Sequence, residues 1–337
     1  MYIFSGFVFV IIAGILAGSF YLPSTFTRKW EWEHTWLIYS FSAMFIFNWI
    51  FVFLFIPEII TVCELVPLKD IIVLIVFGSL WGIGAVLFGI AMDKVGMALA
   101  YPIVLGTVSS LGALIPLVVF FPSTLFSLKG LILFMGTVVT VIGIIMCSMA
   151  FNLKNPLVKS QKTSQTGSLT AKLTIAIMAG VMSSLLNVGF SYGTSLVVEA
   201  QKLGIPKVFA SNAAWAIILT SGGIPNVFYC LYLIIRRSTI NYFWGTGTIR
   251  NTCLCLLMGL IWCGGIYFYG IGSFTMGSWG IVVGWIIFMS INIIVGNLWG
   301  IWRGEWKVAS QQARALLNYG LIVILIAVII VAMSSIL

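Results

Sequence analysis

Long apolar segments alternate with short polar stretches along almost the entire chain. Ten such segments can be distinguished, and most of them reach the roughly 20 residues that a helix needs to cross the hydrocarbon core of a bilayer. They fall at residues 2–22, 36–56, 71–92, 96–121, 129–150, 173–198, 209–235, 252–272, 278–301 and 315–336. The pattern predicts an all-α membrane protein with ten transmembrane helices.

Composition supports lipid rather than water as the solvent of this chain. Of the 337 residues, 61% are hydrophobic and only 7% are charged, whereas a soluble domain carries charge at roughly a quarter of its positions. The polar stretches are short, so no room remains for a separate soluble domain. The first residues enter an apolar run without a charged region or a clear cleavage site, which indicates a first spanning helix rather than a signal peptide.

The basic residues indicate an orientation in the membrane. The formal net charge is +9, and in a membrane protein such an excess reflects basic cytoplasmic loops rather than binding to nucleic acid. Thirteen of the 17 basic residues fall in the connections 1–2, 3–4, 5–6, 7–8 and 9–10, and four fall on the other side. The side with thirteen is therefore expected to face the cytoplasm. Both termini then lie outside the cytoplasm.

The longest polar stretch divides the chain into two halves. It covers residues 152–172 and is interpreted as a flexible cytoplasmic linker between a first five-helix repeat, residues 1–151, and a second, residues 173–337. Helices three and four can be laid over helices eight and nine at a constant offset of 181 residues. The aligned pairs are Gly78 and Gly259, Trp81 and Trp262, Gly84 and Gly265, Gly89 and Gly270, Ile90 and Ile271, Gly96 and Gly277, and Ser109 and Ser290.

An odd number of helices in each repeat has a geometric consequence. The second copy must enter the membrane from the opposite side, so the ten helices are expected to form two inverted five-helix repeats. Secondary transporters use this arrangement and place the substrate site near the membrane midplane between the halves. The alternative is that the aligned glycines only allow helices to pack closely.

Tryptophan-rich and glycine-rich motifs occur in the first loop, the third helix and further along the chain. They are Phe20-Tyr21-Leu22-Pro23, Lys29-Trp30-Glu31-Trp32-Glu33 with Trp36, Gly78, Trp81-Gly82-Ile83-Gly84, Gly89, Met92, Gly96-Met97, Gly222-Gly223 and Glu305-Trp306. In type and spacing they resemble motifs of the L-rhamnose–proton symporter family, within the drug/metabolite transporter superfamily. The resemblance spans nearly the whole chain. It implies a ten-helix fold and import of L-rhamnose or a related monosaccharide across the inner membrane.

Coupling to an ion is the point at which the sequence departs from this family. Proton symport needs a group that binds and releases a proton, usually Asp, Glu or His. A member of this family carries a carboxylate in its ninth helix, but none occurs here between Met276 and Ile301. The predicted boundaries leave all eight carboxylates and His34 at membrane edges or in loops. Glu199, at the outer end of helix six, is the best remaining candidate, the alternative being a plain helix-end charge. Transport without protons, or with sodium held near Gly222-Gly223, also stays open.

A sugar site needs aromatic faces for C–H surfaces, and amides or hydroxyls for the sugar OH groups. Polar groups near the middle of a spanning helix are costly in lipid and are therefore functional candidates. The candidates are Asn48, Trp81, Ser109, Asn187, Gly222, Asn226, Trp262, Trp285, Ser290 and Asn292. The run from Gly222 to Asn226, which includes Pro225, is expected to interrupt helix seven, a simple kink being the alternative. The amides could instead make interhelical hydrogen bonds, and the tryptophans could fill grooves between helices.

Several other functions are disfavoured. The sequence has no nucleophile–base pair, phosphate-binding loop or metal-ligand cluster, so neither enzymatic activity nor a cofactor is expected. The expected partners are a small sugar, a proton or sodium ion, and membrane lipid. Two alternatives remain: a transporter of another small metabolite, and a non-transporting sensor or scaffold. A sensor would need a soluble output region, and no loop is long enough for one.

Overall fold

Ten helices long and apolar enough to cross a membrane form the protein. A computed structural model describes residues 2–94, 96–154 and 169–335, and its regular structure is entirely helical over these ranges. The helices are named spans 1 to 10 in chain order: Ile3–Phe26, Trp32–Phe55, Leu68–Lys94, Leu99–Phe120, Leu128–Lys154, Thr170–Lys202, Lys207–Arg236, Thr248–Thr275, Gly280–Trp302 and Gln311–Met333. The all-α class and the ten predicted segments are confirmed.

Spans 1, 2, 6 and 7 are built from more than one piece. Their pieces are Tyr2–Ser19 and the 3-10 turn Leu22–Phe26; Trp32–Phe41, the π-helix Ser42–Phe47 and Asn48–Phe55; Leu169–Ser191 and Thr194–Lys202; Lys207–Ala210 and Ala213–Arg236. The other spans are continuous α-helices, span 4 beginning at Met97. Short helices at Ile59–Leu65, Pro122–Thr124 and Ile240–Trp244 lie in the connections.

Two local predictions are wrong. Span 2 begins at Trp32, four residues earlier than predicted, so His34 lies in a helix and is fully buried rather than in a loop. The expected interruption of helix seven is absent, because Ala213–Arg236 runs unbroken through Gly222 and Pro225. The neighbouring Asn226 amide donates to the Gly222 carbonyl one turn back, and such side-chain bonds let a spanning helix accommodate proline.

Helices from the two halves of the chain pack in matching pairs. Span 3 lies along span 6 and span 8 lies along span 1, while span 4 contacts span 6 and span 9 contacts span 1. Small residues set the closest approaches in each pair. Gly84 lies against Met182 and Ser183, and its aligned partner Gly265 lies against Ala13 and Leu16–Ala17. Each of the two spans 6 and 1 thus packs against a pair of consecutive spans from the other half of the chain.

The proposed linker is described only at its two ends. Residues 152–154 belong to the helix Leu128–Lys154, and residues 169–172 belong to the helix Leu169–Ser191. Residues 155–168, the larger part of the proposed linker, lie outside the described residues.

Candidate functional site

Two parallel tryptophans occupy the middle of spans 3 and 8. The ring centroids of Trp81 and Trp262 are 5.8 Å apart and their planes differ by 7°. Both side chains are buried. The two residues that the offset of 181 pairs in the sequence therefore face each other in space. One face of each ring is thus turned towards the other tryptophan in this conformation.

A second layer of aromatic and amide groups lies next to this pair. The Trp36 indole N–H donates to Oδ1 of Asn226 at 3.0 Å, and the Asn226 amide donates to the carbonyl oxygens of Gly82 at 3.2 Å and Gly222 at 3.0 Å. The Trp81 ring lies directly over Gly222. Asn226 and Gly222 thus join span 7 to span 3, and their polar atoms have partners within the protein.

Two further predicted amides, Asn48 and Asn187, are also buried and make hydrogen bonds between helices. Asn48 donates to the Trp215 carbonyl at 3.2 Å and accepts from the Tyr267 hydroxyl at 3.0 Å. Asn187 donates to the Gly112 carbonyl at 2.7 Å and accepts from the Tyr269 hydroxyl. Each amide therefore fixes the packing of several spans in this conformation, and neither is presented to a cavity.

Spans 4 and 9 hold the remaining predicted groups. Trp285 is buried and donates to the Val108 carbonyl at 3.0 Å. Ser109 and Ser290, near the middle of their helices, are fully buried, and neither hydroxyl has a partner within the described protein. Asn292 is half-buried, and its carbonyl faces Gly18 of span 1. Both hydroxyls are thus shut off from solvent in this conformation without a partner in the described protein.

Among the buried polar groups that the sequence analysis missed are an amide and an indole that lie side by side. Asn212 and Trp215 meet at Gly270 of span 8, and both are fully buried. Neither the Asn212 amide nor the Trp215 indole nitrogen has a hydrogen-bond partner in the described protein. Buried polar atoms without partners are rare in proteins. Asn212 lies at a predicted helix end, where a polar residue is ordinary, so the sequence alone gives no signal.

The first and seventh connections interlock at one end of the bundle. The contacts between residues 26–34 and residues 237–251 are called the loop latch. They are Arg28 with Asn251, Lys29 with Thr246, Trp30 with the Tyr242 carbonyl, Glu33 with Arg237, His34 with the Thr239 carbonyl, and Arg250 with the Phe26 carbonyl. A cavity of about 330 Å³ lies beside the latch, lined by Arg28 and Lys29 among others. The latch ties the first and seventh connections together at this end of the bundle.

The opposite end holds a second cavity, of about 320 Å³. Its walls come from spans 4, 6, 7, 8 and 9 and include Ser191, Gln201 and Lys207. Glu199, the predicted coupling residue, lies near this end in the helix Thr194–Lys202 and pairs with Lys202 at 2.7 Å, one turn away. Its side chain is partly exposed, and coupling by Glu199 stays a prediction.

The chain was compared with known proteins. The family model described as L-rhamnose-proton symport protein matches residues 2–336. The chain belongs to this family. A protein named L-rhamnose-proton symporter from Mannheimia succiniciproducens is 24% identical over 336 residues, which cover 98% of this chain and 97% of the relative. Proteins of the same name from Yersinia pestis and Yersinia pseudotuberculosis are 25% identical over the same shares.

Membership in the L-rhamnose-proton symport protein family defines the broad class of the protein. It is a multi-pass membrane transporter and not an enzyme. Within the described ranges, no group of three or more His, Cys, Asp or Glu side chains could hold a metal ion. The motif Lys29-Trp30-Glu31-Trp32-Glu33, which indicated this family in the sequence, supplies three of the latch residues.

Proposed function

We propose that the protein imports L-rhamnose or a related monosaccharide together with a proton. The match to the family over residues 2–336 is the observation that supports this most strongly. The middle of the bundle has groups suited to a sugar: two indole faces from Trp81 and Trp262, and the unpartnered hydroxyls of Ser109 and Ser290. Indole faces suit C–H surfaces, and buried hydroxyls without partners gain from a polar ligand.

The proposed cycle uses two inverted halves that move against each other. The matched packing of span 3 on span 6 and of span 8 on span 1 supports such halves. Rocking of one half against the other would expose a site between them to each side in turn. Separation of Trp81 from Trp262 would then open the stacking surface. The predicted amides Asn48, Asn187 and Asn226 would exchange their interhelical bonds for sugar hydroxyls only in other conformations of the cycle.

Transport by the purified protein in proteoliposomes tests this function. We expect L-rhamnose uptake to be accelerated by an inward proton gradient in sodium-free buffer, and sugar addition to make the external medium more alkaline. An ionophore that collapses the gradient should abolish accumulation. Uptake driven only by a sodium gradient would show that sodium, and not the proton, is the coupling ion. Uptake of a different class of metabolite in place of L-rhamnose would contradict the proposed substrate.

A site variant connects this transport to the proposed centre. Trp81→Leu should reduce L-rhamnose binding by on the order of tenfold or more, because a large aromatic contact surface is lost from the ligand. The matched control is Trp244→Leu, since Trp244 is 83% exposed in the connection between spans 7 and 8. Equal binding by native protein and both variants would place the sugar away from the tryptophan pair.

The proposed orientation places the loop latch in the cytoplasm and both termini outside, in the inner membrane. It is supported by the thirteen basic residues on the latch side and the four on the other. Single cysteines at two exposed positions of a cysteine-free protein test this orientation. Phe126→Cys lies between spans 4 and 5, where Phe126 is 93% exposed, and Trp244→Cys lies between spans 7 and 8. A membrane-impermeant maleimide should label Phe126→Cys in intact cells, but Trp244→Cys only after permeabilisation. The opposite result would reverse the orientation.

A further inference from the structure

The buried ion pair in the loop latch suggests where the proton binds. Of the eight carboxylates in the chain, all of which the structure describes, Glu33 alone is buried. Its side chain is 1% exposed, and both carboxylate oxygens accept hydrogen bonds from Arg237, at 2.9 and 3.0 Å. The Arg237 side chain is 54% exposed. Water therefore solvates Arg237, whereas the buried Glu33 carboxylate depends on Arg237 for its hydrogen bonds.

The helix that carries Glu33 also carries polar groups closer to the centre of the bundle. Trp36, one turn along the same helix, donates to Asn226, which in turn bonds the carbonyl of Gly222 under the Trp81 ring. Ser40, two turns along the same helix, is fully buried, and its hydroxyl has no partner in the described protein. The ion pair is thus linked through span 2 to the proposed sugar site.

Several charged and titratable groups lie on the elements around Glu33. Arg237 directly follows span 7 and bonds the carboxylate, and the buried thiol of Cys230 lies seven residues earlier on the same helix. Its own helix contributes His34, whose Nε2 contacts the Thr239 carbonyl and whose ring stacks on Tyr242. Asp93, near the end of span 3, is exposed. Among these groups, Arg237 is the one bonded to the carboxylate.

We propose that Glu33 is the proton-binding group of the transport cycle and the lock of the loop latch. Ionised, its carboxylate holds Arg237 and keeps the latch closed. A proton arriving from the central site forms an O–H bond on one Glu33 oxygen, and Arg237 moves to solvent. With the latch open, that O–H bond breaks, the proton passes to water on the latch side, and the restored charge draws Arg237 back. This inference rests on the proton-coupled transport proposed above.

Transport measurements with Glu33→Gln test the proton-binding role. Glutamine keeps the size of the side chain but resembles the protonated form permanently. In proteoliposomes we expect Glu33→Gln to exchange labelled for unlabelled L-rhamnose, but to lose accumulation driven by a proton gradient. The matched control is Glu31→Gln, because Glu31 is exposed and lies two residues away; it should accumulate sugar like the native protein. Proton-driven accumulation by Glu33→Gln would overturn the role.

Labelling of Cys230 tests the lock independently of any sugar. This native thiol is fully buried on the helix that leads into Arg237, seven residues before it, and the other five cysteines can be replaced by alanine. At one fixed pH, Glu33→Gln should increase the rate of Cys230 labelling by a soluble maleimide by on the order of tenfold or more, the effect of losing a charge-assisted contact. Glu31→Gln should leave the rate unchanged.

The two measurements distinguish failure of this inference from failure of the proposed function. If the native protein moves no sugar with protons, the proposed function fails, while the labelling result still decides whether Glu33 locks the latch. If the native protein couples sugar to protons and Glu33→Gln labels Cys230 at the native rate, the lock is overturned.

Discussion

Arg237→Met is expected to destabilise the folded protein by about 3–5 kcal/mol, the cost of leaving a buried charge without its partner. Glu33 is 1% exposed and receives both of its hydrogen bonds from Arg237. Removing the guanidinium leaves the carboxylate with neither water nor a donor. The free energy of unfolding in detergent micelles, followed by tryptophan fluorescence during titration with dodecyl sulfate, measures this loss.

Replacing Glu33 instead of Arg237 is expected to lower the free energy of unfolding by much less. Glu33→Gln leaves Arg237 without a carboxylate, but that side chain is 54% exposed and water can solvate it. The expected loss is about 1–3 kcal/mol, the range for a hydrogen bond to a charged group. The double variant with both substitutions should recover much of the stability lost in Arg237→Met. Equal costs for the two single variants would contradict the asymmetric burial of the pair.

Gly82→Ala is expected to separate spans 3 and 7 and to destabilise the protein by about 3 kcal/mol or more, at the upper end of overpacking costs. A Cβ added at Gly82 overlaps the carbonyl of Gly222 and lies 2.8 Å from the Gly222 Cα. Both obstacles are backbone atoms, so no side-chain rotation relieves the overlap. Because Gly222 also lies under the Trp81 ring, binding of the sugar should weaken as well.

Gly264→Ala is the matched control for Gly82→Ala. Gly264 lies in the helix Thr248–Thr275, and an added Cβ there meets no atom within 4 Å. Both substitutions change helix propensity in the same direction, so the difference in unfolding free energy isolates the overlap. If the two variants are equally stable, spans 3 and 7 do not approach each other as closely as described.

The ten spans could be predicted from sequence because lipid imposes a simple requirement. A spanning helix needs about 20 mostly apolar residues, whatever its neighbours are. The predicted helix boundaries were less accurate where polar residues belong to a helix. Span 2 was predicted to begin after Glu33 and His34 because both residues are polar. Their partners, Arg237 and the Thr239 carbonyl, lie 204 and 205 residues away in the sequence. No local pattern indicates contacts at that separation.

The candidate site was predicted in part. The offset of 181 residues paired Trp81 with Trp262 and Ser109 with Ser290, and the structure brings the two tryptophans into contact. The sequence could not tell whether the amide of Asn48 binds a ligand or another helix, because both roles favour a lone amide in an apolar segment. Contacts between the sugar and the candidate residues, and ion coupling by Glu199, stay predictions.

The π-helix Ser42–Phe47 is a further feature without a sequence signal. Ser42 packs against Gly259 of span 8, while Met44 and Phe45 pack against Gly223 of span 7. A π-turn widens a helix by one residue per turn and recurs at functional sites. Its residues are ordinary helix formers, so only the packing of span 2 between two glycine-bearing helices explains where the wider turn occurs.

Main-chain oxygens accept much of the hydrogen bonding in the loop latch, and this affects how the loops can evolve. Trp30 and His34 bond the carbonyls of Tyr242 and Thr239, and Arg250 bonds the carbonyl of Phe26. Every amino acid supplies the same carbonyl, so many substitutions at these acceptor positions preserve the bond. Insertions and deletions would instead displace the acceptors. Divergence among relatives in residues 237–247 is therefore expected to accumulate as substitutions at constant loop length.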